Sequence, residues 1–163
     1  MSTADETGFE PTTGDGPPPL EAPDRRAASV RTAYEGMLQI RRLTRTEHAN
    51  PEAVPASWEL HRTVRAVALA LEAAEIPPSA LDASGRRVAL GYRVGPGESH
   101  GSVRVEWLGP PGSGAAHDEE QALPRCAEVL QRLGWTALLY RGPRRRRFLE
   151  VEPPAGVPRA GGS

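Results

Sequence analysis

Residues 86–108 constrain the fold of this chain more tightly than any other stretch. Over 86–94, Val88, Leu90, Tyr92 and Val94 fall on one side of an extended backbone, and Arg87, Ala89, Gly91 and Arg93 on the other. Over 102–108, Val103, Val105 and Trp107 oppose Arg104, Glu106 and Leu108, and the stretch between the two runs is polar and rich in glycine. Two period-two runs joined in this way predict an antiparallel hairpin with one buried and one wet face.

The buried face needs a cover, and residues 57–76 supply one. Leu60, Val64, Val67, Leu71 and Ala74 repeat at helical spacing, Ser57 and Glu59 suit the first turn, and Pro77-Pro78 stop the run. A second helix is predicted over 116–133, with Ala122, Cys126, Val129 and Leu133 as its stripe and Leu130 beside them. Gly134 reads as its left-handed cap, and Pro124 predicts a kink or a later start. Two further strands, 135–141 and 145–151, flank Gly142-Pro143.

The predicted order is α-β-β-α-β-β, an α+β fold with a four-stranded, mainly antiparallel sheet and both helices on one face. A ferredoxin-like unit whose first strand is moved to its end (a circular permutation) gives this order. The strands would then run 86–94, 102–108, 145–151, 135–141, with the middle pair parallel. Two separate hairpin–helix units are the alternative. An extra basic helix is predicted over 28–48, carried by Val30, Tyr34, Met37 and Leu38, with Arg41 breaking the stripe. A linker follows at 49–56, the α+β domain at 57–152, and disordered tails at 1–27 and 153–163. The N-terminal tail is acidic and offers only Phe9 and Leu20 as large apolar groups, too little to offset ordering entropy.

Composition bounds the function. All 20 basic residues are arginines, and the net charge is −1. A general nucleic-acid-binding domain is usually more basic. The chain has no long apolar run to span a membrane, and its N-terminus does not read as a signal peptide, so a cytoplasmic location is expected. The lone Cys126 excludes an intramolecular disulfide and falls on an apolar stripe.

Catalytic signatures are weak. The loop Gly109-Pro110-Pro111-Gly112-Ser113-Gly114 lies where phosphate loops lie, yet prolines remove donors and Asp118, Glu119 and Glu120 would repel an anion. His117 with its acidic neighbours does not give three converging ligands. No enzyme activity, cofactor, metal or small-molecule ligand is therefore expected. Arg141 and Arg144-Arg145-Arg146-Arg147 border the last hairpin, and Arg87, Arg93 and Arg104 line the wet face of the sheet. Arg41, Arg42 and Arg45 form a second basic patch on the extra helix. These residues are the candidate binding groups of a non-enzymatic interaction module whose partner is a protein or a second copy of the chain. The alternative is a nucleic-acid-binding protein that uses the same arginines.

Overall fold

A computed structural model describes residues 9–157 of the chain. Its helices are α1 (Pro23–Thr44), α2 (Ser57–His61), α3 (Thr63–Ala73) and α4 (Ala115–Arg132). Its strands are β1 (Ala80–Leu81), β2 (Arg87–Ala89), β3 (Gly91–Pro96), β4 (Val103–Leu108), β5 (Thr136–Arg141) and β6 (Arg147–Glu152). The fold is α+β. The main sheet has the order β3-β4-β6-β5, the order read from the sequence, and β1 pairs with β2 in a separate ribbon. This order is compatible with a permuted ferredoxin-like sheet.

The expected parallel middle pair is antiparallel, with Val103 opposite Val151 and Val105 opposite Leu149. The reason is geometric. Helix α4 carries the chain from β4 to the far edge, so β5 runs parallel to β4 with β6 inserted between them. Hairpin closure from β5 then fixes the direction of β6.

Side-chain alternation assigns the two faces. Tyr92, Val94, Val103, Val105, Trp107, Ala137, Leu149 and Val151 are buried beneath α3 and α4. Of the two further residues expected on that face, Leu90 is partly buried against the core and Val88 leaves it. Tyr92 N–H bonds to Pro77 O and Ser79 N–H to Tyr92 O, so the segment after α3 lies beside β3. The chain therefore breaks at Leu90, and Val88 sits exposed in the small ribbon.

The helix read over 57–76 breaks at Arg62, where φ is −130° and ψ is 60°. In α4 the helix passes through Pro124 without a later start, and Leu123, Cys126 and Leu130 form the buried stripe. Burial pushes the Cys126 thiol up to about 12, as befits a small core hydrophobe. Gly134 has φ +92°, and Trp135 N–H bonds to Leu130 O, which closes the helix as the sequence predicted.

Helix α1 starts at Pro23, a favourable first position, and not at residue 28. It packs on α3 through Val30, Met37 and Leu38 as a third layer of the same core. Arg41, read as the residue that ends the stripe, is fully buried within it. Its guanidinium forms two hydrogen bonds to the Glu59 carboxylate, at 2.7 and 2.6 Å, and also donates to Glu52 O and Leu133 O. Glu59 in turn accepts from Ala56 N–H at 3.0 Å.

The tail expected over 1–27 is, from residue 9 to 16, a docked strap, and residues 17–22 are exposed. Val94 N–H bonds to Thr13 O at 2.7 Å, Tyr92 Oη to Thr12 O, and Thr12 N–H to Glu72 Oε1. Gly14 has φ +95°, and a Cβ there would lie 2.4 Å from Tyr92 O, so glycine permits the close approach. At the other end Pro153 is buried and Val157 packs on the core, so the expected tail is packed as far as 157. The remainder of both expected tails lies outside the described residues. Among the described residues no helix is long and apolar enough to cross a membrane.

Truncating Arg41 leaves the buried Glu59 carboxylate without its cation and takes a donor from the Glu52 and Leu133 carbonyls. Arg41→Ala is expected to lower stability by about 3–5 kcal/mol, read as a shift of the urea midpoint. Arg42→Ala, next to it on the exposed side, is expected to move the midpoint little.

Candidate interaction site

The candidate site is the β5–β6 hairpin with the open face of the sheet beside it. Register runs from Thr136 opposite Glu152 to Arg141 opposite Arg147. Gly142 N–H then bonds to Arg146 O, and Arg146 N–H reaches back to Pro143 O at 3.3 Å. The two central residues of that turn, Arg144 and Arg145, have φ of 61° and 63°. This is the backbone of a type I′ turn, which asparagine and glycine ordinarily occupy. An arginine held there costs on the order of 1 kcal/mol. Both side chains are exposed, and with the neighbouring Arg141 they have no ion-pair or hydrogen-bond partner among the described residues.

The other candidate arginines are occupied. Arg146 bonds to Glu119 at 2.7 Å and to Trp107 O, and the Arg147 N–H donates to the same buried Glu119. This uses the acid that the sequence placed in a ligand-like run with His117. Arg41 is part of the core, Arg42 pairs with Glu52 at 2.5 Å, and Arg45 bonds to Pro55 O. The second basic patch is therefore a structural feature, and the structure does not bring it to the hairpin.

Arg87, Arg93 and Arg104 do not form a free basic surface either. Asp15 of the strap bonds to Arg87 and Arg93, each at 2.7 Å, and Arg87 also donates to Gly14 O. Arg93 reaches Glu106 at 3.1 Å, its cross-strand neighbour. Burial opposes ionisation of Asp15, but the two guanidinium partners outweigh it and hold the carboxyl below its usual value. Arg104 lies 3.8 Å over the Phe148 ring, and its Nε faces Glu150 Oε1 at 3.7 Å. Tyr140 stacks on Phe148 at 5.8 Å between centroids. The open face thus carries an aromatic–arginine cluster flanked by acids, and cationic character without compensation begins only at the hairpin tip.

One apolar feature accompanies the tip. Leu138, Leu139 and Tyr140 are 52, 48 and 47% exposed, in a strand that forms the free edge of the sheet. Their position was readable from the sequence as the last strand in the predicted order. The tip turn was not, because Gly142-Pro143 carries the stronger turn signal.

Two outcomes are expected. Arg144→Asn with Arg145→Gly relieves the left-handed strain and raises stability by about 1–2 kcal/mol in thermal unfolding. Asp15 has a lowered folded-state value, so its contribution is complete above the ordinary aspartate range and is lost as pH falls through the folded value. The protection factor of the Val94 amide should therefore fall selectively on acidification, and Asp15→Asn should abolish that dependence. Compared with known protein families, with curated proteins and with solved structures, the chain matches none.

Proposed function

We propose that the chain is a cytoplasmic, non-enzymatic interaction module that binds an acidic segment of a protein partner through the β5–β6 hairpin. The reading is carried by one observation: arginines occupy both left-handed positions of an exposed turn and find no partner among the described residues. Residues that serve only the turn would relax the backbone, and residues that serve only solubility need not sit there. Conformational strain retained at an exposed site supports a role outside the fold. The exposed Leu138 and Tyr140 next to the tip give the partner apolar surface as well as charge.

The nucleic-acid reading has the Tyr140–Phe148–Arg104 cluster in its favour, since sheets that bind single strands stack bases on such residues. Against it, Glu106 and Glu150 lie on the same face and already engage Arg93 and Arg104. A phosphate backbone that tracked this face would meet carboxylates along with cations.

Fluorescence anisotropy separates the two. The probes are a labelled peptide alternating glutamate with valine and a labelled single-stranded oligonucleotide, each at two salt concentrations. Salt-sensitive peptide binding that weakens about tenfold or more in the Arg144→Asn, Arg145→Gly protein is the expected result. Oligonucleotide binding without peptide binding would replace this reading with the nucleic-acid one.

A further inference from the structure

We infer that β5 takes up its partner as a fifth strand of the sheet. The inference rests on the hairpin reading above and specifies how the acidic segment is held.

The two edges of the sheet are treated differently. On β3 three outward backbone groups are satisfied: Tyr92 N–H by Pro77, Tyr92 O by Ser79, and Val94 N–H by Thr13 of the strap. On β5 they are not. The Gly142–Arg146 bond sets the phase of the hairpin, because hydrogen-bonded pairs alternate in an antiparallel ladder. The bonded pairs toward β6 are then Tyr140 with Phe148, Leu138 with Glu150, and Thr136 with Glu152. The N–H and C=O of Ala137, Leu139 and Arg141 consequently point away from β6, toward the free edge. Only the Ala137 carbonyl has a partner there among the described residues, the Gln131 side-chain amide at 3.2 Å.

An edge of this length is ordinarily blunted by a proline, a bulge, an inward charge or a covering segment. β5 runs its six residues in unbroken register with β6 and carries none of these. Its exposed side chains lie on both faces, Leu138 and Tyr140 on the open side and Leu139 on the helix side, so an added strand finds apolar neighbours above and below. Charge selects the occupant. A strand laid along β5 ends beside Arg141, Arg144 and Arg145, and a carboxylate-bearing segment fits where a basic or neutral one does not. Main-chain bonds supply affinity and the flanking side chains supply selectivity, as in other strand-addition modes.

The test uses the full chain and the alternating glutamate–valine peptide. Leu139→Pro removes one outward N–H and crowds the edge, and the β5–β6 ladder is untouched because residue 139 does not bond to β6. The peptide methylated at alternate backbone nitrogens removes the complementary donors without altering the protein. Each change is expected to weaken binding about tenfold or more, and bound peptide is expected to slow amide exchange at Leu139 and Arg141. Equal binding by the methylated peptide, with those amides unprotected, would overturn strand addition and leave the hairpin reading standing. No binding of either peptide, even at millimolar concentration, would remove both. A dimer in light scattering that Leu139→Pro dissociates would put a second copy on the edge in place of the acidic segment.

Discussion

The buried pair of Arg41 and Glu59 sets the terms for the rest of the molecule. A guanidinium out of water is tolerated only when it is paired and well hydrogen-bonded, and here four bonds reach three separate segments. Glu59 fixes it to α2, Glu52 O to the turn before α2, and Leu133 O to the last turn of α4. The last of these is the carbonyl end of a helix, where positive charge is favoured. One side chain of α1 thereby ties that helix to α2, to the turn before α2 and to the end of α4. The approach is close enough that a Cβ at Gly134 would lie 1.9 Å from Ala53 O. The same glycine ends α4 and clears the way for the turn.

With α1 locked in place, the segment before it has a fixed end, and the strap becomes a short tether between α1 and β3. Arg26, in the first turns of α1, bonds to Glu72, Thr12 and Glu10 O and lies over Phe9, so the helix start and the strap share one anchor. The strap then covers β3, and Asp15 closes over Arg87 and Arg93. The asymmetry of the sheet follows from this chain of contacts. One edge is covered by residues 77–79 and the N-terminal strap, and the other is left to whatever the hairpin binds.

Much of this was legible in the sequence. The alternation of Val103, Val105 and Trp107, the cap at Gly134 and the order of the four main strands follow from periodicity and turn residues alone. The failures have physical causes. Arg41 occupies the phase of the α1 stripe, but a charged residue in that phase ends a helix face unless a buried acid waits opposite, and Glu59 lies eighteen positions on. The strap is held by backbone bonds and ion pairs, which leave no hydrophobic period. Val88 follows the pattern of a buried strand and is displaced because the backbone of 77–79 already occupies that place beside β3.

Arginine content is therefore a poor guide to a binding surface in a chain whose every base is arginine. Most of the candidate guanidiniums serve the fold: Arg41 carries a core junction, Arg146 holds the hairpin to α4, and Arg87 and Arg93 receive the strap. What sets Arg144 and Arg145 apart is their backbone. The fold gains nothing visible from arginine at two left-handed positions, since asparagine and glycine would close the same turn at lower conformational cost. The distinction between a structural and a functional arginine thus lies in φ and in the absence of a partner among the described residues, two properties that charge counting along a sequence cannot supply.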